Sequence, residues 1–407
     1  MRWERGVLWW VLVLGLIRVV GGCGVDEPPP CARCSADSDC VRGHACVKDA
    51  EGKGYCENAA LYRCLFNRPT PPSDGLKEQE IAALRSFLQH LRVDQKKKLV
   101  TLSGANLQIV NGTGKSSELN GLGNLIIGYN EVIQKNGVPV PVGGQGSHNL
   151  VVGDGQSYES HGGFLAGKGS RLVGPYASAS GGSFHLVEGE AASVSGGTEN
   201  VAQGAAAHVG GGAENKALSS CSSVSGGRYN EVRANYANIS GGFKNAIEAP
   251  GLHGQISGGE RNKVTKDYGH VSGGSSNIAN GDSASVSGGS ENMASGLNSH
   301  IGGGWQNQAG GAMSHVSGGR SNKSVGDRST VLGGENNLTS AALSTVCGGE
   351  ANQTYGAFAV ILGGRDNKAM KSWSTVGGGR YSSSEADYGH VCGGSGNKTL
   401  QENAVVP

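Results

Sequence analysis

Apolar residues recur every fifteen positions across residues 194–397. Val194, Val209, Val224 and Ile239 each open a unit, followed by a small residue and then Gly-Gly. After one step two residues longer, beside Pro250 and Gly251, the unit resumes at Ile256. It continues through Val271, Val286, Ile301, Val316, Val331, Val346, Ile361, Val376 and Val391. Two residues before the opening lies a small apolar position, as in Ala192, Ala237, Ala284 and Ala359. Runs such as Ala192-Ser193-Val194-Ser195 therefore alternate inward and outward, which is the pattern of a short strand. No 3.6-residue period is present, so the unit is not helical.

Three residues after the second Gly comes Asn: Asn200, Asn215, Asn230, Asn245, Asn262, Asn277, Asn292 and onward to Asn397, with Ser382 the one departure. Two residues later stands a small or β-branched residue, such as Ala202, Ala217, Val232, Ile247 or Val264. Gly-Gly and Asn are turn residues able to adopt φ > 0, so each unit is expected to hold two short strands and two turns. The expected fold is all-β, a flat two-sided parallel β-roll or solenoid of 15-residue coils. At roughly 4.8 Å per coil, fourteen coils make a rod on the order of 65 Å long. A left-handed hexapeptide helix needs about eighteen residues per coil, and the calcium-binding nonapeptide roll carries Asp in each turn. One coil buries one Val or Ile and a few small residues, at about 0.8 kcal/mol per CH₂. Ordering its backbone costs about 1–2 kcal/mol per residue, so the roll must depend on stacking, turn hydrogen bonds and a partner.

The Val-Ser-Gly-Gly-x-x-Asn-x-Ala-x-Gly coil resembles the head repeat of trimeric autotransporter adhesins, the YadA-like left-handed parallel β-roll. Asn124-Leu125-Ile126-Ile127-Gly128 and Asn149-Leu150-Val151-Val152-Gly153 resemble the same class. The likeness spans about residues 104–400. It implies a homotrimer whose rolls pack around a threefold axis. Such adhesins end in a coiled-coil stalk and a membrane β-barrel, whereas this sequence stops at Pro407 straight after the last coil. Self-translocation and host attachment are therefore not expected.

The remainder of the chain reads as a foot for that rod. Residues 1–22 form a signal peptide, with Arg2 and Arg5 ahead of an apolar run over 6–17 that is too short to span a bilayer comfortably. Val20-Gly21-Gly22-Cys23 looks like a bacterial lipobox, which makes Cys23 the lipid attachment site; the other reading is an ordinary signal peptide with Cys23 incidental. Residues 23–68 are a Cys-rich module. Cys31, Cys34, Cys40, Cys46, Cys56 and Cys64 read as three disulfides in an oxidising compartment, with connectivity open and a zinc site on Cys31-x-x-Cys34 as the rival. Residues 69–98 are a Pro-rich linker and a short amphipathic helix. Ile81, Leu84, Leu88 and Leu91 have coiled-coil spacing, Ser73 or Asp74 can cap the start, and Lys96, Lys97 and Lys98 favour the end. It serves as a trimeric neck, or else lies along the roll. Residues 99–163 are irregular coils whose first strands fall near 99–109, with a projecting loop over 134–146. Regular coiling runs over 164–407, with Phe164 and Ala179 continuing the fifteen-residue step backwards.

Two outward columns carry the candidate chemistry. The first, three residues before the opening residue and outward by strand alternation (hereafter the turn column), holds Tyr236, Tyr268, Met313, Leu343, Phe358, Trp373 and Tyr388. It is expected to be a subunit interface or a ligand groove. The outer strand column, one residue before the opening, holds His208, His270, His300, His315 and His390. Adjacent His300 and His315 could bind metal, but scattered surface histidines are commoner, so no metal or other cofactor is assigned. Cys221 lies in the turn column, and Cys347 and Cys392 are too far apart for a disulfide within one roll.

Composition adds little to this picture. Net charge is +1, which gives no argument for nucleic acid, and the 72 Gly of 407 residues follow the repeat. No Gly-x-Ser-x-Gly, phosphate loop or His-Glu-x-x-His occurs, and Glu199, Glu214, Glu291 and Glu350 occupy turns, so no enzyme is expected. The sequence reads as an exported structural or adhesive protein, lipid-anchored at the outer membrane or cell surface. Its partners would be its own copies and a surface or matrix polymer. The alternative is a monomeric solenoid holding a polysaccharide; the Thr ladders that would favour ice binding are absent.

Overall fold

In the computed structural model, residues 78–407 and the backbone of three strands, Arg33–Cys34, His44–Lys48 and Gly54–Asn58, are described. The signal peptide, Cys23, the linker and the helix caps Ser73 and Asp74 lie outside the described residues, as do the six cysteine side chains of the module. The three strands form an antiparallel sheet whose register sets Cys46 opposite Cys56. Among the described residues no helix is long and apolar enough to cross a membrane.

The helix is shorter than expected. It covers Glu78–Leu88 and is followed by an antiparallel hairpin of Leu91–Asp94 with Leu99–Leu102. Two local preferences outcompete the apolar spacing that would have carried the helix to Lys98. β-Branched Val93 faces Val100 across the hairpin, and the Asp94 carboxylate accepts the Lys97 N–H at 3.0 Å in an Asx turn closed by Lys98 at φ 49°. Leu91 and Lys96, Lys97 and Lys98 are thus hairpin residues. Leu99–Leu102 is likewise no part of the roll: the compact unit that contains the roll starts at Ile109.

From Leu125 onward that second unit, Ile109–Pro407, is a parallel solenoid whose strand residues stack on their counterparts one coil away, interrupted by an antiparallel hairpin of Gln134–Lys135 with Val138–Pro139. The opening residues form the first ladder (Val194 on Val209, Val209 on Val224), and the second pairs Val201–Ala202 with Lys216–Ala217 and onward. A third ladder was not anticipated. Single-residue bridges link Thr198 to Ala213, Ala213 to Arg228 and so on to Ser395, giving each coil a third paired side. Ala179 stacks on Leu165 rather than Phe164, so the step there is one residue short. The longer step is absorbed in the loop around Gly251, and Ile239 still stacks on Ile256.

The interior is narrow. Val194, Val209, Val224, Ile239 and their successors are fully buried, with Ala192, Ala237, Ala284 and Ala359 beside them and Ala202, Ala217, Ala279 and Ala294 opposite. From Ser324 onward the opposite wall becomes hydroxylic, with Ala369 the exception. Thr339 Oγ1 lies 3.1 Å from Ser324 Oγ and 2.9 Å from Ser329 Oγ in a shared hydroxyl cluster, while Thr354 reaches Ser344 at 2.9 Å. Where Ala still stands opposite, the buried Ser299 and Ser314 hydroxyls find no partner. Ser222 and Ser374, also opposite Ala, instead donate to the turn carbonyls of Ser219 and Lys371, so a core Ser is satisfied by a facing hydroxyl or by its own turn.

The turns correct the expectation for Asn. The second Gly does take positive φ (87° at Gly197), but Asn does not. The residue before it does: Glu199 at 55°, Tyr229 at 59°, Lys244 at 55°. This turns the Asn side chain inward. Asn215, fully buried, accepts the Asn230 N–H through Oδ1 at 3.0 Å and donates through Nδ2 to the carbonyls of Gly211 at 2.9 Å and Gly227 at 2.8 Å. The same pattern repeats from Asn200 to Asn367 and ties each coil to the next.

His185 occupies the Asn slot one coil before Asn200. Its Nδ1 takes the Asn200 N–H at 3.2 Å, but the buried Nε2 has no partner. Burial pushes its pKa below the ordinary 6.5; the Gly181 carbonyl opposes this without making a hydrogen bond of normal geometry. The unfolded chain therefore takes up the proton first as pH falls below the ordinary value, and the roll loses stability down to the depressed native value. His185→Asn should restore both amide donations, raising stability by about 1–3 kcal/mol. Thermal melts at pH 7.5 and 5.5 should show the gain at both, and a larger one at the lower pH.

Candidate interaction surface

Each member of the turn column lies on the surface, although not for the reason strand alternation suggests. The position is the left-handed residue of a turn, with φ of 56° at Tyr236, 58° at Phe358 and 59° at Trp373. Left-handed backbone costs a non-Gly residue roughly 1–2 kcal/mol, and bulky aromatics adopt it rarely. Here the hydrogen bonds of the turn impose it: the Tyr236 N–H donates to the Ser220 carbonyl of the coil before, and the Trp373 N–H to that of Ala357.

The column is gathered into two stacks. Tyr236 stacks on His253 at 5.2 Å and His253 on Tyr268 at 5.3 Å. His253 is a member that sequence reading missed, because the longer step hides it; counting three residues back from Ile256 would have found it. Phe358 and Trp373 lie 4.0 Å apart at an interplanar angle of 1°, and Trp373 and Tyr388 6.2 Å apart at 3°. Met313 and Leu343 are exposed on either side of Arg328, also in the column, and join neither stack. A sugar-binding platform presents ring faces. Here those faces cover one another and the outer edges remain, so each pair contributes about 0.5–1.5 kcal/mol to the roll itself.

The three sides of the coil differ in charge. On the second ladder Lys216 pairs with Glu231 at 3.9 Å, Glu231 with Arg233, and Lys263 with Glu248 at 2.8 Å. The third carries Arg320–Glu335 at 3.5 Å and Arg365–Glu350 at 3.4 Å. These pairs are solvated and are worth roughly 0–1 kcal/mol each. The first ladder is unlike both. From Ser178 to Val405, neither the outer strand column nor the column one residue past the opening contains a Lys, Arg, Asp or Glu. Ser, Thr, Gly, His, Asn and Gln fill most of it. Leu332 and Leu362, 49% and 55% exposed, extend the apolar surface of Leu343, Phe358, Trp373 and Tyr388 toward the C-terminal end.

The histidines of this face make few contacts. His300 and His315 stack at 5.2 Å, Ser285 Oγ lies 2.6 Å from His300 Nδ1, and Ser193 Oγ lies 2.9 Å from His208 Nδ1. Burial, and then the neighbouring His315, hold the His300 pKa below its ordinary value. Among the described residues no group of three or more His, Cys, Asp or Glu is placed to hold a metal ion. Cys221, Cys347 and Cys392 are unpaired within the roll, the first and last of them exposed. No family model and no curated protein matches this chain.

Proposed function

We propose that the chain is an exported structural or adhesive rod, anchored by lipid at Cys23 and assembled as a homotrimer through its β-roll, without catalysis. The observation that carries this reading is the charge-free first ladder. A solvated protein side ordinarily bears charge, as the other two sides of this coil do, and interfaces are depleted of it. The likeness of the coil to YadA-like head repeats points the same way, as does the regular spacing of the roll. Sedimentation equilibrium of the full chain in density-matched detergent tests it: three chain masses are expected at pH 7.5. A single chain mass would sink the trimer and favour the second reading, a monomeric solenoid along which an extended polysaccharide lies; the exposed turn column is the observation that favours that alternative.

A further inference from the structure

We infer that the uncharged first-ladder face is the surface on which copies of this chain meet, and that His208, His270, His300, His315 and His390 make the assembly come apart in mild acid. The inference rests on the proposed oligomer and names both its contact face and its control.

Sixteen coils at about 4.8 Å, and about 13 Å of width from the turn column to the residue past the opening, give roughly 1,000 Å². Each copy can thus bury about as much as one side of a standard interface, about 800 Å², divided in a trimer between its two neighbours. The occupant is a second copy because the face runs at constant register along the roll and its two strand columns offer no charge for a charged partner to recognise, Arg328 being the one charged residue of the adjoining turn column. Small Ser and Gly side chains at Ser193, Gly210, Ser225, Ser240, Ser257 and Ser272 let two sheets approach closely, and the apolar group around Leu332, Leu362, Phe358 and Trp373 supplies the burial.

Histidine is the only residue of this face whose charge ordinarily changes between pH 8 and 5. None of the five is ion-paired with a carboxylate, and the ladder neighbours of each are uncharged. His208 stacks between Ser193 and Ser223, with Ala206 and Cys221 in the neighbouring turns. His270 lies between Gln255 and Ser285 beside Tyr268 and Ser283, and His390 between Thr375 and Val405 beside Tyr388 and Asn403. His300 and His315 stack on one another between Ser285 and Thr330, with Asn298, Met313 and Arg328 alongside; Arg328 adds repulsion. The acidic groups of the adjoining turns are Glu190, Asp267, Asp282, Asp327, Asp387 and Glu402. Three of these carboxylates are tied to backbone, accepting the N–H of Leu252, Ala312 and Ser372 at 2.9 Å. Protonation at a closed face would therefore bury imidazolium without a partner, and the copies separate instead.

The experiment is sedimentation equilibrium of the full chain at pH 7.5 and pH 5.0. Wild type is expected at three chain masses at the higher pH and one at the lower. The variant with these five histidines and His253 of the turn column changed to Gln, a residue the strand column already accepts at Gln255, is expected to stay at three masses at both. Ser225→Glu, on the face, should give one mass at pH 7.5, while Lys323→Glu, on the second ladder, should not. A single mass for wild type at pH 7.5 overturns the oligomer itself. Three masses at both pH values overturns the acid control and leaves the oligomer standing. Three masses for Ser225→Glu overturns the face. Circular dichroism of each variant, showing wild-type β content, confirms that the masses report association and not unfolding.

Discussion

Asn292→Ala is expected to cost the roll about 3–5 kcal/mol, a large loss for a surface-like polar residue in a protein with no wide apolar core. Asn292 is fully buried and its side chain makes four hydrogen bonds. Oδ1 accepts the Asn307 N–H at 3.0 Å. Nδ2 donates to Gly288 O at 3.0 Å, Gly304 O at 2.9 Å and Asn277 Oδ1 at 3.1 Å. Alanine leaves the Asn307 N–H and the Gly288 carbonyl unpaired where no water replaces the amide, and takes one of two donors from the Gly304 carbonyl, which keeps the Ser290 N–H; each orphan costs about 1–3 kcal/mol. The chain already contains a milder version. Ser382 keeps its own N–H on Asn367 Oδ1 at 2.9 Å, but its hydroxyl reaches only Gly394 O, at 3.5 Å. Because coils stack only on their neighbours, the damage should be local. Amide hydrogen exchange should accelerate in the coils of Val286 and Ile301 and stay near wild type around Val209, alongside a lower denaturation midpoint. Uniform acceleration along the roll would show that the ladder acts globally.

That Asn position shows what the sequence could and could not disclose. The fifteen-residue period, the inward Val or Ile and the small residues around it were legible because burial selects residue type at those positions, and the ladders pair them in that register. The Asn was legible as periodic, but its role was misplaced by one residue. Asn tolerates left-handed backbone, so a turn was the natural expectation, yet the left-handed residue is its predecessor. That predecessor varies from Glu, Tyr, Lys, Arg and Ser to Gln, Asn, Ala and Asp in different coils and leaves no compositional trace, because stacked hydrogen bonds rather than side-chain preference impose its conformation. The hairpin over 91–102 was hidden for the opposite reason: apolar spacing fitted a helix until an Asx turn and a Val pair decided otherwise. Of the surface, the turn column was visible as large residues, whereas the uncharged face emerges only once all three sides of the coil are known and can be compared.

The adjacent glycines of one coil should separate conformational cost from mere proximity. Gly289→Ala is expected to destabilise the roll by at least about 3 kcal/mol, and Gly288→Ala to stay within about 1 kcal/mol of wild type. At Gly289 the backbone lies at φ 83°, where an L-residue pays roughly 1–2 kcal/mol. An added Cβ would overlap the Gly304 carbonyl oxygen of the next coil and stand 2.7 Å from Asn292 Nδ2, so the stacking distance and the amide ladder would both have to yield. At Gly288 nothing lies within 4 Å of such a Cβ. Guanidinium midpoints of the two variants measure the difference directly. If both fell together, the cost would come from the unfolded chain or the local turn; if Gly289→Ala alone falls, the spacing between coils is the quantity the second glycine protects. The same spacing sets the distance between successive amides of the Asn ladder, which is why one Cβ in the turn is expected to reach as far into the roll as the loss of an Asn side chain.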